Sequence, residues 1–252
     1  MPDLSGVELP GIEVNYPDWP APANVRAFTT TRIGGFSQGP WSQLNLGAHC
    51  GDGPNHVRQN RELLRKLLPS DPRWLKQVHG TRAVAWDECL DSEPEADAIF
   101  SNQTGQVCAV LTADCLPVLF CDKVGTKVAA VHVGWRGLAS GVLEVVVLAS
   151  ECRPAELMVW MGPAIGPHAF EVGKDVYDLF VKLNPENATA FKPQGDRWRA
   201  NLYELVRIAL SKVGIEHVWG RQYCTYSEPD KFFSYRRNGI SGRMASLIWL
   251  EQ

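Results

Sequence analysis

No run of Lys or Arg in this 252-residue chain is longer than two residues, as at Arg236-Arg237, and 28 acidic against 25 basic side chains leave a net charge of -3. That excludes nucleic-acid or membrane-surface partners held by bulk positive charge, because both need clustered cations. No stretch approaches the roughly 20 uninterrupted apolar residues of a membrane helix, and the opening MPDLSGVELPGIEV has neither the basic n-region nor the apolar h-region of a secretion signal. The expectation is a soluble, cytoplasmic protein with no nucleic-acid and no membrane partner. The seven cysteines are odd in number, scattered and without a Cys-x-x-Cys pair, which argues against a disulfide framework, a zinc ribbon or a thioredoxin-type site. Walker, GxGxxG and GxSxG motifs are missing too, and with them the usual marks of phosphate-loop, dinucleotide-binding and serine-hydrolase chemistry.

What is present is a chain 45% hydrophobic, long enough to bury a large core. Residues 1–24, with five prolines, read as an extended lead-in packing through Tyr16 and Trp19, and residues 25–252 as one catalytic domain. β-Branched and apolar runs predict strands over 25–31, 74–78, 82–86, 107–112, 116–121, 127–133, 156–161 and 243–250. Helical spacing predicts four helices. One has Pro54 in its first turn and Val57, Leu64, Leu67 and Leu68 on one face; a second carries Leu138, Val142, Val145, Val146 and Ala149; a third spans 174–183; a fourth is capped by Asn201 and runs to Val213. Two loops rich in Gly and Pro, 32–40 and 162–173, are of the kind that carries function. Strands outnumber those of a simple alternating βα pattern, so the fold class is α+β with a mixed sheet system.

The chemistry concentrates in residues 107–137, where Cys115 and His132 sit at the ends of apolar runs, and in LKQVHG (75–80), which brings His79 to a third such end. One thiol and two imidazoles are the ligand set of an open transition-metal site, which leaves a position for water or substrate. Taken singly, a Cys in an apolar strand is usually a small buried hydrophobe, and Cys108 and Cys121 keep that reading. Cys115 also admits the role of a thiolate nucleophile activated by His132. Arg32, Arg61 and Arg136 stand beside polar or Gly-rich loops and suit bidentate phosphate or carboxylate binding, while Asp114, His168 and Glu171 are acid-base candidates.

LNLGAHCGD (44–52), LKQVHG (75–80), ADAIFSN (96–102), LTADCLPVLF (111–120), VAAVHVGWRG (128–137), GPAIGPHAFEVG (162–173) and YSEPDKFFSYRR (226–237) together resemble the YfiH family, also called laccase-domain or multicopper polyphenol oxidase-like. The resemblance implies a single α+β domain of four layers, α/β/β/α, with mixed sheets (CNF-toxin/YfiH-like). It implies a Zn2+ site, with copper as an alternative occupant, whose ligands and catalytic residues correspond to His79, Cys115 and His132. It places nucleoside contacts at Asn45 and Arg61, with Arg136 a further pocket candidate. The activity it implies is phosphorolysis of adenosine, inosine and methylthioadenosine, with deamination of adenosine, so that the partners are a nucleoside and phosphate. The family also includes a peptidoglycan editing factor, an amidase that removes L-serine from a UDP-N-acetylmuramoyl precursor. Two remoter alternatives are a non-catalytic metal-binding protein and a polyphenol oxidase. The oxidase requires a type 1 copper and a trinuclear cluster, more histidine ligands than the six His here supply.

Overall fold

Two stacked sheets, whose central strands are buried on both faces, carry the site at the ends of the strands Cys108–Thr112, Leu116–Asp122 and Val128–Val133. The computed structural model describes residues 11–89, 93–220 and 223–252. Residues 1–10 of the expected lead-in and 90–92 of the acidic loop lie outside the described residues. The chain begins β1 (Val14–Asn15), β2 (Val25–Thr30), α1 (Pro54–Arg65), β3 (Ala83–Ala85), β4 (Ala98–Ser101), β5 (Cys108–Thr112), β6 (Leu116–Asp122), β7 (Val128–Val133), α2 (Trp135–Ala139) and α3 (Val142–Ser150). It continues β8 (Leu157–Met161), β9 (Glu171–Val172), α4 (Lys174–Leu183), β10 (Phe191–Gln194), β11 (Arg197–Ala200), α5 (Leu202–Lys212), β12 (Val218–Gly220), α6 (Tyr235–Asn238) and β13 (Met244–Leu250). Among these helices none is long and apolar enough to cross a membrane.

An antiparallel sheet of order β1-β2-β13-β5 faces a mixed six-stranded sheet of order β12-β8-β6-β7-β4-β3, and β10-β11-β9 form a small third sheet. Alternate residues of each strand enter different cores. Cys108, Val110 and Ile248 from the first sheet meet Ile99, Leu119, Cys121, Ala130 and Trp160 of the second. Their neighbours Ala109, Leu111, Ala245 and Leu247 pack outward against Leu64 of α1. Val118, Phe120, Val131 and Val159 pack the other way, under α2, α3 and α5. The result is the four-layer α/β/β/α mixed arrangement that the resemblance implied. It also explains why these strands read as unbroken apolar runs: both faces are inside.

Two expectations change. Residues 74–78 form no strand; only Arg73 and Lys76 make isolated bridges. The side chain of Gln77 takes the place of strand pairing, its Nε2 donating to Leu111 O and its Oε1 accepting from Leu111 N, both at 2.7 Å. The expected helix through Leu138 and Val142 is two helices, broken at Gly141, whose φ of +93° is left-handed.

Candidate metal centre

Three separate loops and strands deliver the ligand atoms. Cys115 precedes β6, His132 is the next-to-last residue of β7, and His79 lies in the turn after residues 75–78 at φ +60°. The Sγ and ring nitrogens of His79, Cys115 and His132 lie within 4.8 Å of one another. Cys115 Sγ is 3.7 Å from His79 Nε2, and the two imidazoles meet edge to face with centroids 4.7 Å apart. Ligands on a tetrahedral zinc with bonds of about 2.0–2.3 Å stand roughly 3.5 Å apart, so a small inward movement closes this set.

Asp97, fully buried at the start of the ADAIFSN segment, organises two of the ligands. Its Oδ1 accepts from His132 Nδ1–H at 2.7 Å and from the backbone N–H of His79 at 2.9 Å. Its Oδ2 accepts from Gly80 N–H at 2.7 Å and Val78 N–H at 3.2 Å. One carboxylate thus orients His132 through its Nδ1–H, so that Nε2 can ligate once it gives up its proton, and holds His79 in its left-handed backbone. The Asp97 carboxyl stays below the usual carboxylate range: burial pushes it up, but the His132 contact and the backbone N–H donors outweigh that.

The electrostatics favour a thiolate. Burial alone would raise the Cys115 pKa, yet the imidazoles of His132 and His79 bring it down to about 6. Burial opposes charge on His132, and the Cys115 thiolate with Asp97 overcomes it, raising the pKa to about 9. Both glycines of GWRG are spatial necessities. A Cβ at Gly134 would lie 2.7 Å from His79 Cδ2, and one at Gly137 would lie 2.8 Å from Gly80 O.

The triad opens on a cavity of about 450 Å³ whose wall includes His49, Gln77, Trp135, Phe170, Tyr235, Arg236 and Arg243. Of the acid-base candidates, Asp114 lines it, but its oxygens accept from Thr225 Oγ1 at 2.7 Å and Arg236 N at 2.6 Å. His168 and Glu171 are not on the wall, and Glu171 faces Arg197 and Arg199. Nor is Arg32, which donates to the carbonyl oxygens of Ser42 and Pro229.

Three further residues singled out in the sequence also lie off the wall. Asn45 is buried; its Oδ1 accepts from Gly47 N and Arg243 N, and its Nδ2 donates to Asp52. Arg61 donates to Leu46 O, pairs with Glu93 and covers Trp74. Arg136 is exposed, folded over Trp135, which does line the cavity. Sequence reasoning passed over His49, Arg236 and Arg243, although the first two stand inside quoted motifs. A second cavity of about 430 Å³ lies between the six-stranded sheet and α3, holds no ligand of the triad, and has its Lys127 paired with Ser150 O and its Asp87 with Gln106.

A thiol and two oriented imidazoles at an open cavity define an α/β/β/α protein built around a mixed sulfur-nitrogen donor group that could hold a metal ion. The chain belongs to the multi-copper polyphenol oxidoreductase laccase family, whose pattern matches residues 26–251. It is 52% identical to the purine nucleoside phosphorylase YfiH of Shigella flexneri over 240 residues, 93% of this chain and 97% of that protein. The protein of the same name from Escherichia coli K12 is 51% identical with the same coverage. Among solved structures, protein NMB0706 of Neisseria meningitidis superposes with a TM-score of 0.92 at 51% identity, covering 95% of this chain and 99% of that one.

Proposed function

We propose that this protein is a metal-dependent purine nucleoside phosphorylase, holding zinc on His79, Cys115 and His132 and also deaminating adenosine. The observation that carries the reading is the oriented Cys-His-His set on the wall of a cavity of nucleoside size, in a chain half identical to proteins named for that activity. The donor set suits zinc: once His132 gives up its proton it offers one thiolate and two neutral imidazoles, one of them backed by a carboxylate. The metal, when bound, supplies Lewis-acid polarisation at its open position.

The chain's own residues do the rest. Ile165, Phe170 and Leu202 give the cavity an apolar side on which a flat base excludes water, and Trp135 adds a ring. Phosphorolysis forms a bond from a phosphate oxygen to C1′ of the ribose and breaks C1′–N9, the electron pair leaving with the base, which takes a proton. Holding phosphate and nucleoside in one enclosure turns that encounter into an intramolecular one. Asn45 acts on the pocket through the backbone of Arg243, and Arg61, near enough to His49 to depress its pKa, contributes charge at the margin. Arg136, on the exposed side of Trp135, contacts substrate atoms that project beyond the cavity.

The metal-loaded protein incubated with adenosine should release adenine and ribose 1-phosphate only when phosphate is present, and inosine without it. Chromatography identifies the products. Release of free serine from UDP-N-acetylmuramoyl-L-serine, with no action on adenosine, would replace this reading with the editing amidase.

A further inference from the structure

We infer that Arg236, Arg243 and His49 form a subsite for a tetrahedral oxyanion on the wall of the metal-site cavity, taking inorganic phosphate next to the nucleoside. The inference deepens the phosphorylase reading and rests on it for the anion's role, while its binding is tested separately.

Three parts of the chain meet there. Arg236 comes from α6, Arg243 directly precedes β13, and His49 belongs to the loop that follows Asn45. Each guanidinium is fixed in place by neutral groups. Arg236 lies over the Phe170 ring at 5.5 Å and its Nη1 donates to Glu171 O at 2.8 Å. Arg243 lies over Tyr235 at 5.9 Å, and its Nη1 donates to Ser241 O at 2.8 Å and Gly242 O at 3.0 Å. Phe170 and Tyr235 are themselves cavity residues.

Backing rings and carbonyls orient the two forks without neutralising them. Among the described residues neither forms an ion pair with a carboxylate, unlike Arg26, Arg61, Arg65, Arg153, Arg197 and Arg199. The one carboxylate on the cavity wall among the described residues is Asp114, and it is spent on Thr225 and the Arg236 backbone. Two oriented cations on the wall of one cavity match the bidentate geometry of phosphate.

His49 complements them. Burial first, then the nearby Arg243, keep its pKa below the usual histidine value, so at neutral pH it is an uncharged ring able to donate at one nitrogen and accept at the other. That suits a phosphate that carries one proton. Asn45 joins the two halves of the subsite, accepting from Arg243 N at 2.9 Å while anchoring the turn that leads to His49.

The same chemistry would fit a phosphate group of a nucleotide sugar, so the test separates the two sources. With metal-loaded protein and saturating inosine, Arg243→Gln and Arg236→Gln should each raise the KM for phosphate at least about tenfold, the loss of a charge-assisted contact, with a smaller change in the KM for inosine. An unaltered phosphate KM in both variants, with native thermal melting, overturns the subsite. Titration of inorganic phosphate in a calorimeter, without nucleoside, gives the second measurement. A wild-type protein that binds phosphate through Arg243 but performs no phosphorolysis keeps the subsite and ends the phosphorylase reading. Absence of phosphate binding, or UDP binding that depends on Arg243 while phosphate does not bind, overturns it.

Discussion

Asp97 Oδ1 lies 2.7 Å from His132 Nδ1, and the same oxygen takes the backbone N–H of His79, so two of the three candidate metal ligands, from distant parts of the chain, answer to one buried atom. Asp97→Asn keeps the shape but converts one acceptor oxygen into a donor, setting N–H against N–H at residues 78–80 or at His132. Metal affinity should fall about 10- to 100-fold, the usual effect of removing the carboxylate behind a ligating histidine. Competition against a chromophoric chelator measures it, and native affinity in the variant would refute the role.

The charge state of the metal-free centre predicts a pH window. Cys115 is depressed to about 6, so its contribution to stability is lost as pH falls through that value; His132 is raised to about 9, and its contribution is lost as pH rises through that one. Melting temperature of the metal-free protein should therefore be highest between about pH 6 and 9. Within that window the thiolate is already formed and only His132 must give up a proton, so metal loading should release about one proton per site. Calorimetry in two buffers of different ionisation enthalpy reads that number, and a release of two protons at pH 7.5 would contradict the ion pair.

Gly134→Ala tests how closely the helix start is pressed against the centre. The added methyl would meet His79 Cδ2 at 2.7 Å and Cys115 Sγ at 3.3 Å, forcing His79 to move. Metal content should drop while far-UV circular dichroism stays native, since the clash is with ligands and not with the sheets. Full occupancy in this variant would mean that His79 has room the geometry denies it.

Gln77→Leu removes the carboxamide that substitutes for strand pairing at Leu111. Two backbone groups lose their partners together, and each buried unsatisfied group costs about 1–3 kcal/mol. Chemical denaturation should show a loss of that order, with metal affinity also lowered because residue 77 leads directly to His79. A variant as stable as the parent would show that water replaces the amide without cost.

Much of this was legible from residue pattern. Both-faced apolar runs announced β5, β6 and β7, Asn201 announced α5 by its capping side chain, which accepts from Glu204 N at 3.3 Å, and the triad stood out because Cys115, His79 and His132 end or interrupt such runs. The rest was hidden for different physical reasons. Residues 74–78 have strand composition, but a single glutamine makes the bonds a neighbouring strand would make. The organising role of Asp97 was invisible because an aspartate before an apolar run looks like any loop residue until four N–H groups are seen to converge on it. Arg236 and Arg243 were hidden by tertiary placement, since nothing local in SYRR or SGRM tells which guanidinium faces a cavity.

β13, whose first neighbour is Arg243, is inserted between β2 and β5, strands formed from residues more than 130 positions earlier. During synthesis, β2 and β5 have no partner between them until residues 244–250 leave the ribosome. Until then the facing backbone edges of both strands stand open, a state that favours intermolecular pairing and chaperone capture. His79, Cys115 and His132 are all made more than 100 residues before Arg243, so the cavity they open on gains that part of its wall well after them.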